Sequence, residues 1–184
     1  MAEKLSAWWR TILVAAALCC LLVAHPIITY AVRSVLAVPE FSQRPYDSIY
    51  WATTAFMIIA YFRNDNVDRD VEIARREHGN NFNQGGTLED IEYYVQDYTG
   101  RNGSIQYNAL SYAAVQYQIN NRGPIGTAIY WTSGGGHAMV IKGYDTSTSF
   151  VIYNEPWNGR GHGCTYSYYV SNSIWRRGGS LFYQ

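Results

Sequence analysis

Val38-Pro-Glu-Phe-Ser-Gln-Arg-Pro-Tyr-Asp-Ser-Ile-Tyr-Trp-Ala-Thr-Thr-Ala55 is the stretch on which the reading of this chain turns. It places a glutamine, Gln43, ahead of a turn at Pro45 and Asp47-Ser48, where either polar residue can cap a helix. From Tyr50 to Phe62 almost every residue is apolar or small, with no polar face. A helix that is apolar all round must be buried, so this one is expected at the centre of its lobe.

Outward from that helix, the charged segment from Val67 to His78 reads as a solvated helix and Gly79 to Gly86 as a polar loop. Thr87-Leu88-Glu89-Asp90 has the form of a capping box, opening an amphipathic helix to about Thr99 with Leu88, Ile91, Tyr94 and Val95 on one face. A further helix is expected over Ala109–Asn120. After Arg122-Gly123-Pro124 the pattern changes to short runs of branched and aromatic residues between turn signals: 125–132, 137–144, 149–153, 165–170 and 180–183. Helices followed by strands indicate an α+β protein, with a helical lobe around the 50–62 helix packed on an antiparallel sheet over about 124–184.

The N-terminal 37 residues differ in kind. Lys4 and Arg10 precede 22 mostly apolar residues, Thr11–Val32, and Val35 and Ala37 stand at positions minus three and minus one of a possible cut before Val38. The segment fits a cleaved export signal, and it is also long enough for a signal anchor, since about 20 residues cross a bilayer. Either way residues 38–184 are expected outside the cytoplasm as one domain, secreted or membrane-anchored, touching a membrane only through the N-terminal segment.

The 184 residues carry 14 basic and 14 acidic side chains, and the part from Val38 onward carries 11 and 13. This offers no basic field and no recognised motif for nucleic acid. Cys19 and Cys20 lie in the apolar segment, leaving Cys164 alone beyond it and excluding a disulfide framework there. His162 and Cys164, with His137 or His78, match no strong metal-ligand spacing, so neither a metal nor another cofactor is expected.

Three separated stretches carry the chemistry: Gln43 with Tyr50-Trp51, then GGGHAMVIKGYD from Gly134 to Asp145, then VIYNEPW from Val151 to Trp157. Together they resemble the papain-like cysteine peptidases, in particular the compact bacterial branch that includes double-glycine bacteriocin-processing peptidases, plant-pathogen effector peptidases, staphopain and streptopain. The resemblance covers residues 38 to 184. It implies that Gln43 is the oxyanion-hole glutamine, that His137 is the active-site histidine, and that Glu155 or Asn154 orients it. Relatives often carry Asp-Pro-Trp where this chain has Glu155-Pro156-Trp157, whereas Asn154 would match papain's amide. Only one of the two can face His137, because successive strand residues point to opposite faces.

Tyr50 occupies the place that the resemblance gives to the nucleophilic cysteine. A phenol starts from a pKa of about 10 and its oxygen lies well beyond the reach of a cysteine sulfur. The expectation is therefore a peptidase homologue without peptidase activity, a pseudoenzyme that binds a peptide or protein. The alternative is an active hydrolase with a shifted or unconventional nucleophile, for which Cys164 is the available thiol.

Overall fold

The computed structural model describes residues 31–183, and the apolar N-terminal segment before them lies outside the described residues. Among the described residues, no helix is long and apolar enough to cross a membrane. The elements run in chain order as β1 (Arg33–Val35), α1 (Tyr50–Arg63), α2 (Asp70–His78), a 3-10 turn (Gly79–Asn81), α3 (Leu88–Thr99), β2 (Gly103–Gln106), α4 (Tyr112–Asn120), β3 (Ile125–Trp131), β4 (Gly136–Asp145), β5 (Phe150–Glu155), β6 (Arg160–Thr165), α5 (Tyr166–Val170) and β7 (Trp175–Tyr183).

This is the α+β architecture expected, helices packed on an antiparallel sheet. The sheet order is β2-β7-β3-β4-β5-β6, and β1 pairs with the end of β4 that β3 does not cover. Helix α1 is central: all ten residues from Trp51 to Ala60 are buried. It joins Ile73 of α2, Ile91 and Val95 of α3 and the sheet residues Ala138, Val140 and Leu181 in one core. On the other face Val115 and Ile119 of α4 pack with Ile129, Met139, Ile141 and Val151. The helix ends where Asn64 takes a left-handed conformation and its N–H returns to the carbonyls of Ala60 and Tyr61. The capping box at the start of α3 forms as read, with Thr87 and Asp90 exchanging hydrogen bonds.

Several expectations need correction. Among the described residues the sheet already includes Arg33–Val35, ahead of Val38, because that segment pairs with Gly143–Asp145. Residues 165–170 are not a strand: the strand is Arg160–Thr165, and Thr165 then caps the short helix α5 by accepting from the Tyr168 N–H. The glycines at 161 and 163 thus lie in an edge strand, and Gly159 in the turn before it takes the left-handed region (φ 62°). Strand β2 went unread because Gly103-Ser104 lacks apolar character, yet it pairs with β7 through Tyr183 and Phe182. Helix α2 starts at Asp70 instead of Val67, and it buries Asp70, Ile73 and Ala74.

Candidate active site

Tyr50 is the first residue of α1, preceded by Ile49, which provides no side-chain cap. The first-turn N–H groups therefore stay open, leaving the positive end of the helix facing the cleft. His137 opens β4 directly after the glycine run, where Gly134 and Gly135 adopt positive φ (96° and 85°) that a side chain would strain. The imidazole is buried, and its ring centroid lies 5.1 Å from that of Tyr50. Trp131, at the end of β3, also stacks on His137, at 5.6 Å.

His137 Nε2 lies 2.5 Å from Glu155 Oε1. An ionised carboxylate can only accept, so Nε2–H is the donor in this contact. Glu155 Oε1 also accepts from the Trp157 backbone N–H at 3.0 Å, which holds the carboxylate in place. Asn154 faces away. Its amide donates to the carbonyls of Val38 (3.2 Å) and Pro39 (2.9 Å), tying the incoming chain to the sheet.

The choice between these two neighbours follows from one irregularity. At the far end of the β4–β5 hairpin Asp145 pairs with Phe150 and Gly143 with Ile152, but beyond Gly143 the register shifts so that Ile141 pairs with Tyr153 and Val140 with Asn154. Lys142 is the additional residue, a β-bulge. Cross-strand partners share a face, so Asn154 lies on the Val140 face and Glu155 on the Met139 and His137 face. Without the bulge the assignment would be reversed. The bulge residue is anchored by its ammonium, which donates to Glu40 Oε1 at 2.6 Å. That hydrogen bond is the main cause holding the Glu40 carboxyl below its usual range.

Tyr50 points its hydroxyl at the loop before α3: a Cβ on Gly85 would stand 2.9 Å from the phenol oxygen. Burial pushes the phenol above its ordinary pKa, with the Gly86 backbone N–H pulling the other way. Trp51 occupies the neighbouring position in the same loop, donating its indole N–H to the Gln84 carbonyl at 2.9 Å. The ring presses so closely on Gly86 that an added Cβ would lie 2.5 Å from its atoms. This loop-to-helix contact, and the Trp131 stack, were not legible in the sequence; the double glycine Gly85-Gly86 was its only mark.

Two cavities meet at Tyr50. One, of about 290 Å³, is walled by Leu88, Ile91, Ala128, Ile129 and Ala138 with Tyr130 at its mouth. The other, of about 420 Å³, is walled by Asp47, Trp131, Glu155 and Trp157. Tyr50, Gly136 and His137 line both, so the phenol ring stands as a partition between them.

Gln43 stands beside the Glu155-Pro156-Trp157 segment, its backbone N–H donating to the Pro156 carbonyl at 2.8 Å. Gln43 is buried, donates to the Tyr46 carbonyl at 3.3 Å, and lines a separate groove with Asp68 and Asp70. Its Oε1 has no hydrogen-bond partner. Cys164 sits on β6 opposite Val151, four residues from Glu155 along β5 and so roughly 13 Å away at strand spacing. Burial pushes its thiol up to about 11, the opposite of an activated cysteine. His162 stacks on Tyr153 and hydrogen-bonds Asn158, and His78 lies edge-on to Trp51. Among the described residues no cluster of three or more His, Cys, Asp or Glu could hold a metal ion.

A carboxylate-oriented histidine at a strand start, facing the N-terminus of a buried helix across a cleft, is the arrangement of the papain-like cysteine peptidases. Residues 33–173 match the family described as papain-like cysteine protease AvrRpt2, and the chain belongs to it. Among solved structures, a C39-like peptidase from Bacillus anthracis superposes with a TM-score of 0.61 at 14% identity, covering 83% of this chain and 98% of that one. It shares the fold. Comparison with curated proteins gives no match.

Proposed function

We propose that this chain is an exported papain-like peptidase homologue that no longer hydrolyses peptides and instead binds a peptide or protein in the divided cleft. The observation that carries this reading is Tyr50. It stands where the family resemblance calls for a thiol, its ring closes on His137 at 5.1 Å, and its hydroxyl is turned to the Gly85-Gly86 loop. A phenol whose pKa is raised by burial is neutral near pH 7 and offers no anion for attack on a carbonyl. The retained His137–Glu155 pair fits a scaffold kept after loss of its nucleophile.

Export rests on the Lys4/Arg10 and Thr11–Val32 layout. A cut before Val38 would remove a strand of the sheet, so the reading favours a segment retained as an anchor or cut ahead of Arg33. The competing hydrolase reading gains nothing from Cys164, which is remote from α1 and less acidic than a free thiol. Incubation of the purified chain with fluorogenic peptides and denatured protein is expected to give no cleavage above background. Hydrolysis that survives in Tyr50→Phe and disappears in His137→Ala would refute the inactive assignment. Binding is tested on an immobilised peptide array, with Tyr130→Ala and Trp157→Ala as cleft variants.

A further inference from the structure

The cavity on the Glu155 side of Tyr50 is chemically unlike its neighbour. It has three aromatic residues, Tyr50, Trp131 and Trp157, and two carboxylates, Asp47 and Glu155, with His137 as the one other titratable lining group. No lysine or arginine belongs to its wall. Its volume of about 420 Å³ is large enough for an extended side chain. Both chemistries favour the same kind of guest. Tryptophan faces attract cations, and carboxylates accept the forked N–H groups of a guanidinium.

We infer that this cavity is a subsite for a basic side chain, arginine above all, of the bound peptide; the inference rests on the peptide-binding reading and names the ligand class of that site. Two further observations carry it. First, Glu155 uses only Oε1 for His137 and the Trp157 N–H, and among the described residues nothing hydrogen-bonds its Oε2. Second, the protein already holds a guanidinium, from outside the cavity wall, against two of the residues that line it. Arg44 lies with Cζ 4.5 Å from the Trp157 ring centroid and Nη1 2.6 Å from Asp47 Oδ1. That ion pair is exposed on both sides, 48% and 69%, so it is weak and exchangeable. Arg44 thus acts as an internal competitor for the aromatic face and carboxylate that an incoming arginine would use.

The experiment titrates the full chain in detergent with Nα-acetyl-arginine methylamide and, separately, with its neutral isostere Nα-acetyl-citrulline methylamide, following the indole N–H resonances of Trp131 and Trp157. The arginine compound is expected to saturate about tenfold tighter than the citrulline one. Arg44→Ala should tighten it several-fold by removing the competitor, and Asp47→Asn should weaken it. Equal affinity for the two compounds, no binding of either, or indifference to both substitutions would overturn the inference. Peptide-array binding with no preference for basic residues would overturn it too while leaving the peptide-binding reading intact. Saturable arginine binding with a silent peptide array would retain the cation subsite and remove the peptide reading.

Discussion

Placing a thiol at the start of α1 separates a poised catalytic frame from a mere shared fold. In Tyr50→Cys, with Cys19, Cys20 and Cys164 replaced by serine, the new sulfur would sit at the open N-terminus of the buried helix beside His137. A thiolate and an imidazolium separated by about 5 Å attract by roughly 3 kcal/mol at an effective dielectric of about 20. The helix end adds about 0.3–1 kcal/mol. Each pKa unit corresponds to about 1.4 kcal/mol, so the thiol is expected to titrate roughly two to three units below a free cysteine, near pH 6. The pH dependence of alkylation by iodoacetamide, followed by intact mass, measures this directly, and adding His137→Ala should return the profile towards pH 8.5. A thiol that titrates like free cysteine while His137 is present would refute the inference that the His137–Glu155 frame is still aimed at residue 50.

Asn154→Ala leaves the buried Val38 carbonyl and the part-buried Pro39 carbonyl without their donor and should cost about 1–3 kcal/mol in chemical denaturation, whereas Glu155→Gln should cost less than Asn154→Ala. Gly86→Ala would force a methyl to within 2.5 Å of the Trp51 ring and is expected to destabilise by about 1–3 kcal/mol, seen as a lower Tm. Asp70 is buried and its carboxyl is pushed above the ordinary range mainly by desolvation, so the folded state holds that proton more tightly than the unfolded chain. Its contribution to stability is therefore present at low pH and lost as pH rises through the folded pKa. Asp70→Asn, which keeps an acceptor for Thr53 Oγ1, should flatten the fall in Tm above about pH 4. Truncation to Val38 removes β1 from Gly143–Asp145 and should lower the denaturation midpoint relative to a chain starting ahead of Arg33.

Local rules account for much that was legible. An apolar run with no polar face has to be buried, and Trp51–Ala60 is buried throughout. Thr87 and Asp90 cap α3 because their spacing matches the helix turn. Failures occur where pairing partners supply what the segment lacks. Arg33–Val35 and Gly103–Gln106 are strands because β4 and β7 offer unpaired edges, not because of their own composition. Residues 160–165 lie in the sheet, despite their glycines, because β5 holds them in register.

The site divides along the same line. Tyr50 at a helix start, His137 behind a glycine run, and a carboxylate or amide before Pro156 can be read from the chain itself, since each depends on neighbours in sequence. Whether Glu155 or Asn154 meets His137 depends on a single additional residue, Lys142, in the β4–β5 ladder. Strand periodicity specifies that adjacent residues face opposite ways, but only the register, set by the bulge and its Glu40 anchor, says which way. The sequence determined that residue 50, at the start of the buried helix, is a phenol. The tertiary structure alone decided where that phenol goes, because its ring direction is set by the packing of His137 on one side and the Gly85-Gly86 loop at its hydroxyl, which makes it the partition between two chemically different cavities.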